Sequence, residues 1–416
     1  MHFVEYVTYS AHIYVVIEPN SGYNRLRMRY NWQEPDWPNF RYDLTAFQPD
    51  LYRYAEATGR MAGSFPHLPP DLQEQATLEL MVAEAIKTSS IEGEFLELED
   101  VMSSIRNNLN LNNPPVLVKD ARAQGVARMM IDVRRSYQEA LTEDKLFQWH
   151  RMLLSPVEGV SKITIGAWRT HENPMQVISG WPGKIKVHFE APASKDVPHE
   201  MTKFIAWFNR TTPGQRDAIV PGPVRAAVAH IYFESIHPFE DGNGRIGRAL
   251  AEKGLSQDLG CPALISLSQL IDAQKKRYYE ALKQAQESNE ITSWVGYFVK
   301  TVLEAEQSAE RLIEFTLGKA KFFDRFKPVM NDRQQKVVTR MLKEGPDGFK
   351  GGINAAKYMR IAHCSKATAT RDLAELRDQA ILQQQPAGGR STSYALVEIS
   401  TKHSRTVPVF TFHIPV

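Results

Sequence analysis

The sequence predicts a mainly α-helical protein with one small β-hairpin near its middle. From Asp43 onward, apolar residues recur at three-to-four spacing over most of the chain, which is the period of amphipathic helices. In residues 159–192 this spacing stops, and glycines and prolines alternate with β-prone runs such as IKVHF, which indicates loops and a hairpin. Near the C-terminus, short helical patterns are followed by a glycine-containing hairpin. Together, these three observations set the fold class.

The composition is that of an ordinary globular protein. The 416 residues, of which 43% are hydrophobic, set an expectation of two or three domains. A net charge of +2 gives no overall field that favours nucleic acid or a membrane surface. Cys261 and Cys364 are too far apart to suggest a disulfide framework or a zinc site, which favours the cytoplasm. No apolar run approaches the roughly 20 residues of a membrane span, and the N-terminus lacks the basic region of a signal peptide.

Five segments are predicted along the chain. Residues 1–27 are rich in Tyr and Val without a partner pattern, and we interpret them as an extension outside the fold, with an edge strand as the alternative. Residues 28–115 form an N-terminal helical region and residues 116–320 a helical core. Residues 328–398 read as a winged helix-turn-helix, and residues 399–416 as a tail.

Individual helices are predicted from apolar spacing and from start signals. Leu72, Ala76, Leu80, Ala83 and Ile86 share one side of a helix that begins near Asp71, after two prolines. Further helical patterns cover residues 117–140, 143–154, 198–209, 223–235, 243–258, 267–287, 291–317 and 331–342.

The segment HPFEDGNGRIGR, residues 237–248, concentrates chemistry in twelve positions. Gly242 and Gly244 form a tight turn that feeds a helix, and the free backbone N–H groups at such a helix start suit a phosphate. Arg245 and Arg248 lie three apart on one helix face and can bind the same anion. Asp241 is placed as a Mg²⁺ ligand beside the phosphates, and His237 as a base that titrates near neutrality. Each feature alone is usually structural, but their joint occurrence in this order is far rarer.

This segment resembles the Fic motif, H-x-F-x-[DE]-G-N-G-R-x-x-R, at every defined position. The resemblance implies a Fic helical core in which His237 is the general base, Asp241 holds Mg²⁺ and Phe239 shapes the loop. It further implies that Gly242, Asn243 and Gly244 bind the phosphates of ATP, with Arg245 and Arg248 on the β and γ phosphates. Fic proteins mostly transfer AMP to Ser, Thr or Tyr hydroxyls of proteins, and a few transfer phosphate, phosphocholine or UMP.

Two further segments resemble the same family. The run IKVHFEAPA, with Val187, His188 and Phe189, is similar to the flap hairpin that docks the target protein by strand addition. The run KKRYYEAL is similar to the helix whose tyrosines, here Tyr278 and Tyr279, border the adenine; ordinary helix packing is an equal alternative. The run GAWR, residues 166–169, is also similar to family sequences.

A motif for control precedes the core. TSSIEG, from Thr88 to Gly93, fits the inhibitory pattern [ST]-x-x-x-E-[GN] of the class that carries this helix before the Fic domain. The resemblance implies that Glu92 pairs with Arg248 and takes the place of the γ-phosphate. ATP would then bind with its α-phosphate misaligned for in-line attack.

The C-terminal pattern allows two interpretations. Ser365 is a plausible N-cap for a recognition helix on which Lys366, Thr368, Thr370 and Arg371 could face DNA, with Arg390 at the tip of the wing. Winged helices equally serve as protein-interaction or dimerisation modules.

The sequence leaves three functions open. The first is an AMP transferase inhibited by Glu92, whose substrates are Mg²⁺-bound ATP and a hydroxyl-bearing protein, including itself. The second is a transcription regulator that senses nucleotide and acts through the winged helix. The third is a Fic enzyme that removes AMP or transfers another phosphoryl group. Family resemblance also suggests a homodimer.

Overall fold

The computed structural model describes residues 13–14, 29–154, 163–179, 186–345, 348–385 and 392–397. The tail 399–416, Arg390 and most of the predicted extension 1–27 lie outside these residues. Contacts within the chain define two compact units. One has the bounds Met1–Ala62 and Thr77–Ala309, and the other Gly63–Ala76 and Glu310–Val416. The prediction of a mainly helical protein is confirmed.

The helices, in chain order, are α1 (Gln48–Ser64), α2 (Pro70–Ile91), α3 (Leu98–Asn108), α4 (Ala121–Arg135), α5 (Glu143–Leu154), α6 (Val197–Arg210), α7 (Gly222–Ile236), α8 (Asn243–Leu259), α9 (Leu267–Ala273), α10 (Lys275–Ala285), α11 (Thr292–Phe326), α12 (Asp332–Leu342), α13 (Ala355–Ala362) and α14 (Lys366–Asp378). The strands are β1 (Ile13–Tyr14), β2 (Gln176–Ser179), β3 (Lys186–Glu190), β4 (Leu382–Gln384) and β5 (Tyr394–Leu396). Among the described helices, none is long and apolar enough to cross a membrane.

Helix α7 lies at the centre of the first unit. All of its residues are buried, including Arg225, His230 and Glu234, and its many apolar residues are distributed around the whole helix. Tyr232, Phe233 and Ile236 at its C-terminal end join the same core cluster as Ile246 and Leu250 of α8. The loop that connects α7 to α8, which carries the predicted catalytic motif, is therefore held at both ends by packed helices.

The predicted hairpin is part of a three-stranded antiparallel sheet with the order β1-β2-β3. Val177 of β2 faces Phe189 of β3, and the register shifts by a bulge between Val177 and Ile178. Strand β1 pairs with the other side of β2, so Ile13–Tyr14 follow the edge-strand alternative for the N-terminal segment. Within the described residues, β3 has a strand partner on one side and forms an edge of the sheet.

The second unit contains the predicted order of short helices followed by a hairpin. Helix α12 begins with a capping box between Asn331 and Gln334, and α14 is capped by Ser365, whose Oγ accepts the Thr368 N–H. Strands β4 and β5 pair antiparallel. The buried carboxylate of Asp372 on α14 accepts a hydrogen bond from the Tyr358 hydroxyl on α13, at 2.9 Å. This contact fixes the two helices against each other.

Three predicted helix bounds differ from the structure. The predicted helix 267–287 is two helices, because Gln274 leaves helical geometry with φ −126° and ψ 35°. The predicted helix 117–140 is shorter, because the Asp120 side chain accepts the Arg122 N–H and caps α4 at its start. The predicted helix 291–317 continues as α11 to Phe326.

Candidate active site

His237 is the residue that ends α7. Its backbone is left-handed, with φ 51° and ψ 60°, a conformation that costs a residue with a side chain about 1–3 kcal/mol. The His237 N–H donates to the Phe233 carbonyl at 2.9 Å, which closes the last turn of the helix. The imidazole is almost fully buried, with 4% exposure, and it lines a cavity. The strained backbone is therefore held in place by the surrounding structure.

Arg169, in the GAWR run, binds the carbonyl groups at the end of α7. Its Nε donates to the His237 carbonyl at 2.9 Å and its Nη2 to the Ile236 carbonyl at 3.3 Å. The same guanidinium donates to the Pro192 carbonyl and to Ser194 Oγ, in the segment that follows β3. Because the terminal carbonyl groups of a helix have no intrahelical partners, Arg169 satisfies them and joins the end of α7 to the segment after the hairpin.

The loop after His237 is shaped by Phe239 and Asn243. Phe239 is completely buried and stacks on the His150 ring, with 4.1 Å between ring centroids. The Asn243 side chain accepts the Phe239 N–H at 3.0 Å and donates to the Phe239 carbonyl at 2.8 Å. The side chain of Asn243 thus closes the loop on itself, and what it leaves for a phosphate is its backbone N–H.

His150 supports the same loop from α5. Its Nδ1 accepts the Gly166 N–H at 2.9 Å, so its Nε2 carries the proton and donates to the Asp241 carbonyl at 3.1 Å. Burial lowers the pKa of His150 to about 4, which keeps the ring neutral near pH 7. His150 is a structural contributor that the motif alone did not indicate.

Two glycines give the α8 N-terminus room for an anion. Gly242 has φ +82°, which a residue with a side chain rarely adopts. At Gly244, an added Cβ would collide with Glu92 Oε1 and lie 3.1 Å from Arg248 Nη1. The first backbone N–H groups of a helix have no intrahelical acceptor and attract negative charge. The absence of side chains at these two glycines therefore leaves space at the start of α8, and the Glu92 carboxylate occupies that space at Gly244.

Arg248 is bound by the segment predicted to be inhibitory. Its Nη2 lies 2.8 Å from Glu92 Oε1, and its Nε donates to Thr88 Oγ1 at 2.8 Å. Burial lowers the pKa of Arg248, but the charge and hydrogen bond of Glu92, together with Tyr278 and Tyr279, hold it above the usual value. Helix α2 ends at Ile91, and Gly93 follows with φ +85°. The predicted pair between Glu92 and Arg248 is thus present as a contact.

Arg245 has an acidic partner that the sequence analysis did not identify. Its Nη1 lies 2.7 Å from Glu94 Oε2, and its Nη2 lies 3.6 Å from Asp241 Oδ1. Burial raises the pKa of the Glu94 carboxyl, and Arg245 opposes this shift. Glu94 follows the inhibitory motif by one residue, so its position was the available signal. Each arginine of the loop is therefore paired with a different carboxylate of one short segment.

A cavity of about 430 Å³ lies beside these groups, in the range of small-molecule sites. Tyr278 and Tyr279 on α10 both line it. The Tyr278 hydroxyl hydrogen-bonds His230 Nε2 at 2.8 Å, and the Tyr279 hydroxyl donates to the Ile91 carbonyl at 3.2 Å. Both tyrosines therefore line the cavity, and both also make the packing contacts of the alternative interpretation.

The predicted flap residues divide between the cavity and the core. His188 and Phe189 line the cavity, and Phe189 is buried against Tyr30, with 5.1 Å between ring centroids. Val187 is half-buried and is not among the residues that line it. The edge of β3 that has no strand partner among the described residues belongs to the same strand as these cavity-lining side chains.

One carboxylate is available to hold a magnesium ion at the loop. The described residues contain no cluster of three or more His, Cys, Asp or Glu side chains arranged for a metal. Asp241, whose Oδ1 accepts the Gly242 N–H at 2.6 Å, stands alone at the start of the phosphate loop. Mg²⁺ is commonly held by one or two carboxylates together with substrate phosphates, so this donor set fits an ion that arrives with a nucleotide.

The arrangement defines a class of protein: a helical domain in which a buried histidine and a glycine-rich helix start line a cavity of small-molecule size, with two buried arginines on the same helix. Residues 140–255 match the Fic/DOC family, and residues 30–111 match a domain of unknown function (DUF4172). Residues 140–255 are therefore a Fic/DOC family domain.

Relatives with established names are similar over parts of the chain. Protein adenylyltransferase Fic of Culex quinquefasciatus is 34% identical over 99 residues, which cover 24% of this chain and 18% of that protein. The crystal structure of a Fic family protein from Desulfovibrio desulfuricans G20 has a TM-score of 0.50 at 19% identity, and covers 86% of this chain and 98% of that one. A Fic domain containing signaling protein from Bacteroides thetaiotaomicron has a TM-score of 0.48 at 18% identity, over 65% of this chain and 97% of that one. The first of these structures shows a shared fold.

Proposed function

We propose that this protein is an adenylyltransferase that moves AMP from ATP to a Ser, Thr or Tyr hydroxyl of a protein and is inhibited by Glu92. The observation that carries the proposal is the 2.8 Å pair between Arg248 and Glu92, at a cavity that His237 and Gly244 also line. The general class of transferase is supported by the Fic/DOC domain and by the adenylyltransferase name of one relative.

The proposed reaction is an in-line displacement at the α-phosphorus of ATP. The target hydroxyl oxygen forms a bond to phosphorus, the bond between the α-phosphorus and the bridging oxygen breaks, and pyrophosphate leaves. His237 takes the hydroxyl proton as general base. The N-terminus of α8, with Arg245 and Arg248, binds the phosphate oxygens in fixed positions, which is where most of the rate of phosphoryl transfer originates.

Asp241 would hold Mg²⁺ at the phosphates, where the ion supplies charge neutralisation. The edge of β3 would receive an extended segment of the target protein by backbone pairing. Such pairing reads the target backbone more than its side chains, so it would place a hydroxyl near His237 without a strict sequence requirement.

Glu92 would inhibit the reaction by competing with ATP for Arg248. While the carboxylate is paired with the guanidinium, Arg248 is unavailable to the γ-phosphate, and the negative charge of Glu92 repels that phosphate. A Cβ on Gly244 would collide with Glu92 Oε1, so the carboxylate stands directly over the phosphate loop. ATP bound beside it would be displaced from the in-line geometry.

Glu92→Gly should raise self-modification by at least about tenfold, equivalent to about 1.4 kcal/mol of barrier. The measurement is intact mass of the purified protein after incubation with ATP and Mg²⁺, which also identifies the transferred group. Arg248→Ala added to Glu92→Gly should cancel the gain, because the released Arg248 is the group that binds the γ-phosphate.

The matched control is Glu97→Gly, which removes an exposed carboxylate at the start of α3, where glycine is well tolerated. This variant should behave as the parent. A folded, ATP-binding Glu92→Gly protein with no more AMP than the parent would contradict the proposal, and a mass gain other than AMP would point to another phosphoryl group.

A further inference from the structure

A second carboxylate stands behind the predicted base. Glu234 lies one helical turn before His237 on α7, and its Oε2 is 3.7 Å from His237 Nδ1. Both side chains are almost completely buried, with 6% and 5% of their surface exposed. Two residues three apart share one face of a helix, and the left-handed backbone of His237 directs its ring from the helix end. The pair therefore meets where the helix stops and the loop begins.

The other oxygen of Glu234 is held against α8. A Cβ added to Gly247 would lie 2.7 Å from Glu234 Oε1 and 3.2 Å from the His230 ring, so the carboxylate occupies the space that this glycine leaves open. Among the described residues, Oε1 has no hydrogen-bond partner. Oε1 is thus directed toward Gly247, and Oε2 toward His237.

Other charged and titratable groups surround the carboxylate. His230 lies on the same helix and Tyr278 on α10, while Arg248 and Glu92 approach from α8 and the end of α2. Burial raises the pKa of Tyr278, and the charge of Glu234 adds to this effect. The imidazole of His237 lies in ion-pair range of this carboxylate.

We infer that Glu234 is a positioning residue that orients His237 and sets its tautomer, an inference that rests on the proposed function for its catalytic meaning. The carboxylate accepts the Nδ1–H of His237, which leaves the Nε2 lone pair to take the proton of the target hydroxyl. It also stabilises the imidazolium that forms during transfer, as a buried carboxylate does for a catalytic histidine in other enzymes. The 3.7 Å separation lies within ion-pair range, and catalytic hydrogen bonds are often long before the substrate arrives.

Tautomer measurement tests the inference without any transfer reaction. Protein labelled with ¹⁵N-histidine is recorded by long-range ¹H–¹⁵N correlation without ATP, and His237→Asn assigns the signal. The Nδ1–H form of His237 is expected in the parent and in Glu234→Asp, and its population should fall in Glu234→Leu. Gly247→Ala, which displaces the Glu234 carboxylate without removing it, should also lower the population of the Nδ1–H form. An unchanged tautomer in Glu234→Leu and Gly247→Ala overturns the inference.

Kinetics in the Glu92→Gly background give the second readout. Glu234→Leu should lower kcat by about 10²–10⁴-fold, the range of general-base catalysis, with the KM for ATP unchanged and partial recovery in Glu234→Asp. A raised KM at constant kcat would instead mean that Glu234 contacts the nucleotide, which overturns the inference. The control is Glu200→Gln, a largely buried carboxylate on α6 that accepts from Trp37 Nε1; it should leave kcat unchanged.

The two proposals fail separately. The Glu92→Gly variant could transfer no AMP while the His237 tautomer still changes in the Glu234 variants. In that case the adenylyltransferase function is contradicted and the role of Glu234 is supported. If AMP is transferred but the His237 tautomer and kcat are unchanged in the Glu234 variants, the proposed function is supported and the role of Glu234 is contradicted.

Discussion

The segment 237–248 and helix α14 are both rich in polar residues, but their side chains find partners in different places. In the first, Arg245 and Arg248 are buried and bind residues outside the segment, and the buried Asn243 binds the backbone of Phe239 within it. In α14, Lys366 is exposed, and Arg371 is 65% exposed and lies 3.7 Å from Glu375 on its own helix.

This difference indicates how closely the sequence of each region specifies a function. Burying charged groups is costly unless each has a partner of matching geometry, so the residue types in the first segment are tightly constrained. Exposed charges on a helix are compatible with solvent alone, with DNA or with a protein. The following predictions test whether the two regions differ in function as they do in structure.

The largest effect is expected from His237→Ala, which removes the proposed base from the constrained segment. Transfer in the Glu92→Gly background should fall by about 10²–10⁴-fold. ATP affinity, measured by calorimetry, should stay close to that of the parent, because the loop and the arginines bind the phosphates. His199→Ala, which alters an exposed histidine of α6, should leave the rate unchanged. Transfer at the parent rate would show that the assigned base is wrong.

An intermediate effect is expected from Glu94→Gln, which releases the second arginine. Added to Glu92→Gly, it should lower the KM for ATP by roughly three- to tenfold, the equivalent of one ionic contact of about 0.7–1.4 kcal/mol. The gain is limited because Asp241 lies 3.6 Å from Arg245. Glu97→Gln is the control, since this neighbouring carboxylate is exposed. If KM is the same in both double variants, Glu94 does not compete with the nucleotide.

The smallest effect on transfer, none at all, is expected when Lys366 and Arg371 are both changed to Ala. If α14 binds DNA, the double variant should bind more weakly in an electrophoretic shift and lose part of the salt dependence, by about one unit of slope for each phosphate contact. Changing Lys336 of α12 and Lys343, which follows that helix, removes the same charge and should have less effect; both are exposed. No shift with the parent at low salt would leave a protein-interaction module.

The predicted residues of the Fic motif came from one continuous stretch, and this explains why they could be found from sequence. The order of His237, Asp241, the glycines and the arginines is written in twelve residues, and the pairing of Glu92 with Arg248 followed from a second short motif. Whether these residues act as proposed is what the variants above decide.

The contributors that escaped prediction bind the site from distant segments. Arg169 and His150 reach the loop across 68 and 91 positions of the sequence. The GAWR run marked Arg169 without indicating its contacts, and nothing in the local pattern marked His150. Glu94 and Glu234 lie close to predicted residues, but their roles depend on which way each side chain points. One helix was missed where a single residue divides it, at Gln274 between α9 and α10.

The left-handed backbone at His237 has a consequence for anyone who tries to make this protein more robust. Glycine is the residue that adopts this conformation without penalty, so a selection for thermal stability alone would favour glycine at position 237. The surviving clones would fold well and lack the only imidazole at the end of α7. Stabilising substitutions are often functionally costly at strained sites, and here the cost would fall on the side chain proposed as the base, so position 237 should be kept fixed in any stability screen.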